Sequence, residues 1–358
     1  ISEDGIHWEK PHLKLVDGPA EIDRTIWPPY PMTKGKTNLN NLVPFGHPRD
    51  LWLHGNVRDP AMRFTISTNY GAPSNVSFAA EPPDILGDPD WKSKLVDSGG
   101  YKPSYYNTLE YWDEMHQEWV ALRQAPNHPP TRVGGRYATA DLKNWKLQHY
   151  LYPDAHDSTD PRYFHEVYGL MGVHMEGIVF GFAYWFIGDD THPSTESRGV
   201  IGTNTGRGTM EVRVVTSRDG GCTWDRTVSR EAWISHGTEE ESYDRQVRID
   251  CPPLRMGDED WFYCTVSNQD HLGFRRNYRD RVGYSQGALY VQKHNRYVSL
   301  TAGTRPRILI TKPLKVTGKT LQLNVDGGRG EVRVGIGIDR PIAHPEGGWK
   351  FEAHLPHY

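Results

Sequence analysis

One short pattern recurs along this chain and limits what it can fold into: a small hydroxyl residue, an aspartate, and a tryptophan a few positions on. It stands in "SEDGIHW" (Ser2–Trp8), "TADLKNW" (Thr139–Trp145) and "TSRDGGCTW" (Thr216–Trp224), and "RFTISTNYG" (Arg63–Gly71) is a degenerate copy without the tryptophan. In a tight turn the aspartate accepts backbone N–H groups, while the indole packs beneath the loop. Strand-like runs precede two copies, "GGRYATA" and "MEVRVVTS". A chain that keeps returning to one hairpin is built from antiparallel strands.

The copies are separated by roughly 70 residues or a multiple of it, which predicts the blades of a β-propeller. Further strands are expected at Trp119–Arg123, Ile178–Phe186, Asp260–Ser267 and Gly287–Gly303. Amphipathic helical patterns are scarce, and Gly 36, Pro 26, Trp 12 and Tyr 19 favour turns and pleated surfaces. The predicted class is all-β: a five-bladed propeller over 1–302, lacking part of its first blade, and a sandwich-like layer over 303–358. The layer is read from the alternation in Arg307–Asp339. If a blade is missing, residues 1–30 are expected to pair with strands from elsewhere, or the ring to close on Leu321–Val334.

Charge narrows the partners. A net charge of −4 with both signs interspersed leaves no nucleic-acid footprint. No apolar run reaches the roughly 18–20 residues of a membrane span. Three cysteines do not make a disulfide scaffold, and Cys251 and Cys264, which bracket a hairpin, read equally as a pair or, given the odd count and wide spacing, as free buried thiols. No CxxC or HExxH occurs, and Asp189, Asp190 and His192, which have the chemistry of cation ligands, read first as a polar loop, so neither metal nor cofactor is expected. The aromatic wealth suits a carbohydrate partner, because Trp and Tyr faces stack on sugar C–H faces, and equally suits a β-core. Oligomeric state is not legible.

The order of "SEDGIHWEKP", "NNLV", "YWDEMHQEWVALR", "TADLKNW", "HEVYGL", "TSRDGGCTWDR" and "ILITKPLKVTGKTLQLNVDGGRGEVRV" resembles secreted glycoside-hydrolase-like proteins of planctomycetes. These are likened to the five-bladed propellers of glycoside hydrolase families 32 and 43. The resemblance implies secretion or a periplasmic location, a preceding signal peptide with about one more blade, and a first-blade carboxylate outside this sequence. It also gives meaning to Asp59 in "NVRDPAM", since fructan-cleaving members use an Arg-Asp-Pro triplet to hold two sugar hydroxyls.

Propellers bind ligands where their inner strands begin, which singles out Asn40–Asn41, Trp112–Glu114, His165–Tyr168 and Tyr243–Arg245. Glycoside cleavage needs two carboxyl groups, one donating a proton and one acting as nucleophile or base. The expected set is Glu166 as general acid with Asp113 or Asp244 as its ionised partner. Asn41, Asp59, Trp112, Arg136, His165, Tyr168 and Arg245 are expected to bind substrate. The plainer reading is that acidic residues at strand starts bind turn N–H groups. The arginines of "FRRNYRDR" (Phe274–Arg281) match an acidic sugar or a solvated loop. The leading function is hydrolysis of a plant or algal polysaccharide. Alternatives are a non-catalytic glycan-binding propeller, or a sialidase-like or lyase propeller using His165 with Tyr168, or Arg132 with Arg136 and Arg245.

Overall fold

Three long strands, largely buried on both faces, dominate the middle of the chain: Tyr163–Met175, Ile178–Asp189 and Gly208–Ser217. The structure, a computed structural model, describes residues 3–7, 9, 90, 110–125, 132–141, 144–160, 163–175, 177–189, 208–226, 230–237, 244–249, 252–268, 271, 285–311, 319–328 and 330–335. For 18–22, 31–37, 48–53, 64–68, 74–79, 96–102, 342–343 and 349–350, and for Glu110, Asp189 and Ser285, it describes the backbone alone.

All regular structure among the described residues is β. β1 (Gly18–Ile22) and β2 (Pro31–Thr37) form a hairpin, and β3 (Pro48–Leu53), β4 (Phe64–Thr68), β5 (Ser74–Ala79) and β6 (Val96–Lys102) form a four-stranded meander. A second meander holds β7 (Glu110–Asp113), β8 (Glu118–Gln124), β9 (Gly134–Thr139) and β10 (Lys146–Leu151). Then β11 (Thr159–Asp160), β12 (Tyr163–Met175), β13 (Ile178–Asp189) and β14 (Gly208–Ser217) pair antiparallel in order. So do β15 (Gln246–Ile249), β17 (Glu259–Ser267) and β18 (Ser285–Lys293), with β16 (Leu254–Met256) against the start of β17. One parallel bridge, Met210 to Gln246, joins these last two sets.

The two faces of β12–β14 carry two cores. Tyr168, Phe186, Met210, Val212, Phe262 and Tyr297 pack on one face, and Val167, Trp185, Val215, Leu122 and Tyr111 on the other. Strict alternation puts Glu166 on the first face and His165, Glu211 and Arg213 on the second. A bulge between Val167 and Gly169 resets the register, and Gly169 is needed there because a Cβ would lie 2.6 Å from the Tyr184 ring.

The chain divides into two compact units, Ile1–Leu300 and Thr301–Tyr358. The strand expected over Gly287–Gly303 stops at Lys293, where His294 and Asn295 turn the chain, with Asn295 in the left-handed region at φ 57°. Among the described residues of 303–335 none lies in a strand, so the alternation there builds no ladder, and Ile308 is 88% exposed. Two short paired strands, Ile342–Ala343 and Trp349–Lys350, belong to this second unit. Of the two readings of Cys264, the free buried thiol is the one found. No helix among the described residues is long and apolar enough to cross a membrane.

The aspartate turns form as the sequence implies. Asp141 accepts from Asn144 N at 2.8 Å and Thr139 Oγ1 at 2.7 Å, and Asp219 accepts from Thr223 N and Ser217 Oγ, both at 2.8 Å. Trp224 packs against Gly181 and Gly221 beneath its turn. Asp4 accepts from the N–H groups of Ile6 and His7 at 2.8 and 2.7 Å.

Gly220 is the tightest point of the Asp219 turn. Its φ is +65°, and a Cβ there would fall on the Asp113 carboxylate. Gly220→Ala is therefore expected to cost about 2–4 kcal/mol, from left-handed strain and steric displacement together. Urea unfolding of the variant checks this, and wild-type stability would contradict it.

Candidate functional site

Asp113 closes β7 in a turn that repeats the plan of Asp4. Its Oδ1 accepts from Met115 N at 3.0 Å and its Oδ2 meets His116 Nδ1 at 2.7 Å, just as Asp4 meets His7 Nδ1 at 2.6 Å. Arg136, 1% exposed, donates from Nη2 to the same Oδ2 at 2.8 Å, from Nη1 to Glu118 Oε1 at 2.8 Å, and from Nε to Gly220 O at 2.8 Å. Burial pushes the Asp113 carboxyl up, but His116, the Met115 N–H and Arg136 outweigh it and hold the group below its ordinary range. Asp113, His116 and Glu118 also lie close enough together to hold a metal ion. The Arg136 guanidinium already supplies the positive charge there.

Glu166 sits elsewhere. It is fully buried on β12, in a cross-strand row with Phe186 and Met210, at the N-terminal end of β14. Its Oε1 accepts from Arg132 N at 3.1 Å and its Oε2 is ion-paired with Arg132 Nη1. The Arg132 guanidinium lies 5.0 Å from the Tyr168 ring centre and 5.2 Å from that of Phe186. The Tyr168 hydroxyl meets His271 Nε2 at 3.2 Å, and His271 N donates to Gly208 O at 2.8 Å. Asp244 and Arg245 are half-buried at the start of β15, where Arg245 O accepts from Met210 N at 3.1 Å.

β14 therefore separates the expected residues into two groups. Glu166, His165, Tyr168, Asp244 and Arg245 gather at its N-terminal end. Asp113, Trp112 and Arg136 lie at the other, against Gly220 beyond its C-terminus. From Met210 to Ser217 at about 3.3 Å per residue, the two carboxylates stand roughly 20–25 Å apart, far beyond the roughly 5–10 Å of a glycosidase pair. This revises the pairing of Asp113 with Glu166 and the grouping of Arg136 with Arg132 and Arg245. Trp112 packs edge-on against Trp119, with ring centres 5.3 Å apart. Asn41, Asp59 and the arginines of 274–281 lie outside the described residues.

The second face of β12–β14 carries a cluster that single-residue reading misses. Asp157 is bound by Arg226 through Nη1 at 2.6 Å and Nη2 at 3.0 Å, by Arg213 Nη1 at 3.6 Å, and by His165 Nδ1 at 3.4 Å. Arg213 in turn donates to Glu211 at 2.7 Å, and Arg230 grips Asp154 with two bonds of 2.9 Å. The guanidinium carbons of Arg213 and Arg226 lie 4.8 and 4.2 Å from the Trp185 ring centre. These residues are scattered over 154–230, and what little signal they leave is the spacing Asp154-x-x-Asp157 and the alternation of Glu211 and Arg213.

No family model matches the chain, and no curated protein matches it. Among solved structures, an N-acetylgalactosamine deacetylase from F. plautii in complex with blood group B trisaccharide is similar at 10% identity and a TM-score of 0.39. The likeness covers 66% of this chain and 71% of that one. A BT0996–RGII complex is similar at 14% identity and a TM-score of 0.30, over 64% of this protein and 62% of that one. At such TM-scores neither likeness carries weight for fold or activity.

Burial pushes the Asp157 carboxyl up, yet the His165 and Arg226 hydrogen bonds and the Asp154 N–H outweigh it and hold the group far below its ordinary range. A depressed carboxyl stabilises the fold fully above its unfolded pKa of about 4 and loses that contribution as pH falls towards its folded value. Asp157→Asn is expected to lower stability by about 3–5 kcal/mol at neutral pH. The deficit should narrow as pH drops below about 4. Thermal melts of both proteins across that range read the gap, and a constant gap would contradict the ion-pair account.

Proposed function

We propose that this chain is a carbohydrate-active protein that hydrolyses glycosidic bonds at the N-terminal end of β12 and β14. In this reading the antiparallel meanders are blades of a propeller and Thr301–Tyr358 is an accessory β-layer. Glu166 and Asp244 are the two carboxyl groups, Tyr168 and Arg245 line the sugar site on the face of Glu166, and His165 stands on the opposite face of β12. The observation that carries the proposal is that Glu166, Tyr168, Asp244 and Arg245 belong to strand segments that meet at one end of the sheet, with the Tyr168 and Phe186 rings on the face of Glu166. Two carboxyl groups at one mouth are what glycoside hydrolysis requires.

A specific observation favours a second reading, a glycan-binding protein without turnover: both oxygens of Glu166 are engaged by Arg132. A general acid must turn one oxygen towards the leaving group. The two readings separate on one set of proteins. With a panel of neutral and acidic oligosaccharides, Glu166→Gln and Asp244→Asn are each expected to lower kcat at least 100-fold while calorimetric binding persists. Full turnover in either variant overturns the pairing, and wild-type binding without turnover establishes the second reading.

A further inference from the structure

Two buried nitrogens on the second face of the sheet have no hydrogen-bond partner among the described residues: Nε2 of His165 and Nε1 of Trp185. Trp185 is completely buried, and His165 retains 13% of its side-chain exposure. Their rings stand edge to face at 78°, with centres 6.5 Å apart. A buried polar atom left unpaired costs about 1–3 kcal/mol, so natural interiors rarely carry one without a ligand or water to meet it.

The chemistry of the two atoms is complementary. The indole nitrogen only donates. His165 Nδ1 faces the Asp157 carboxylate at 3.4 Å; in the neutral ring a hydrogen on Nδ1 is the one that can donate to that carboxylate, and Nε2 then carries the lone pair. One group of the site thus offers a proton and the other accepts one. Arg213 and Arg226 stack on Trp185, and Arg226 also grips Asp157, so one guanidinium holds both the indole and the carboxylate that the imidazole faces. The charges of Arg213 and Arg226 are met by Glu211 and Asp157, which leaves the locus suited to a neutral group rather than to an anion.

We propose that Trp185 and His165 form a hydroxyl-binding subsite, in which one hydroxyl oxygen accepts from Trp185 Nε1–H and donates its own hydrogen to His165 Nε2. The inference rests on the carbohydrate reading above and extends it: the ligand is a neutral sugar that buries one hydroxyl beside the Asp157–His165 pair. A long-lived water shares this chemistry.

The test uses the full chain and methyl glycosides of common neutral pyranoses as probes. The Trp185 indole N–H resonance is assigned by its loss in Trp185→Phe, which keeps the ring beneath the two guanidinium groups. A sugar at the subsite is expected to shift that resonance, and Trp185→Phe and His165→Phe are each expected to weaken binding about 5–10-fold, the loss of one hydrogen bond. Probes that bind wild type and Trp185→Phe equally, with the indole resonance unmoved, overturn the subsite and leave the carbohydrate reading standing. An indole N–H with a persistent cross-peak to water during probe binding assigns the position to water and overturns the sugar role. A wild-type protein that binds neither probes nor oligosaccharides overturns both.

Discussion

Charge taken out of water is the problem this interior is organised around. Asp113, Glu166, Asp157, Glu211, Arg136, Arg213 and Arg226 are all buried, and a lone ion there would cost several kcal/mol. Each sits against an opposite charge: Asp113 with Arg136, Glu166 with Arg132, and Asp157 and Glu211 with Arg226 and Arg213. These pairs bridge elements distant in sequence. Arg226 reaches Asp157 across 69 positions, and Arg136 reaches the Gly220 carbonyl across 84. Close approach of the meander β7–β10 to β12–β14 therefore depends on satisfying charge as much as on the apolar contacts of Tyr111, Leu122 and Val167.

The two ends of β14 show what this arrangement separates. At the C-terminal end, Asp113, Arg136 and Tyr111 converge on the Gly220 turn, and their polar atoms serve the backbone: both Arg136 Nε and the Tyr111 hydroxyl donate to Gly220 O, at 2.8 and 3.0 Å. At the N-terminal end the polar groups lie on both faces of β12, Glu166 on one and His165 on the other. A strand alternating with period two presents adjacent residues to opposite sides. The pair His165–Glu166 consequently belongs to two different environments, one formed with Arg132 and Tyr168, the other with Asp157 and Trp185.

Much of this was legible in the sequence, for reasons that can be named. The hydroxyl–Asp–Trp turns are local: carboxylate, acceptor geometry and indole lie within nine residues, so composition and spacing suffice. The strand at 178–189 shows as an apolar run, whereas 163–175 is interrupted by His165 and Glu166 and reads from sequence only as a strand start at His165–Tyr168. Asp113 was harder, because its turn lacks the preceding hydroxyl, and Asp-x-x-His is a signal only once Asp4 and His7 are seen to share it. The Asp157 cluster left almost no trace, since Asp154, Asp157, Arg213, Arg226 and Arg230 each look like ordinary solvated charges until the fold brings them to one indole. The alternation over 307–339 reads as a sheet from pattern alone, yet pattern fixes which side chains share a face, not whether a partner strand lies alongside.

The Tyr263 hydroxyl donates to Gly5 O at 2.8 Å, joining the first turn of the chain to β17 across 258 positions. Closing so long a loop is entropically costly before any contact rewards it, although the cost grows only logarithmically with length. Contacts of this separation form slowly, whereas the meanders between them close over short loops. On loop-closure grounds alone, the docking of the Asp4 turn on β17 is expected to follow the closing of the hairpins. The stretch around Gly5 then behaves as a latch, whose release in the native state should precede the loss of any sheet, exposing the Trp261–Tyr263 face of β17 while the buried strands β12–β14 stay intact.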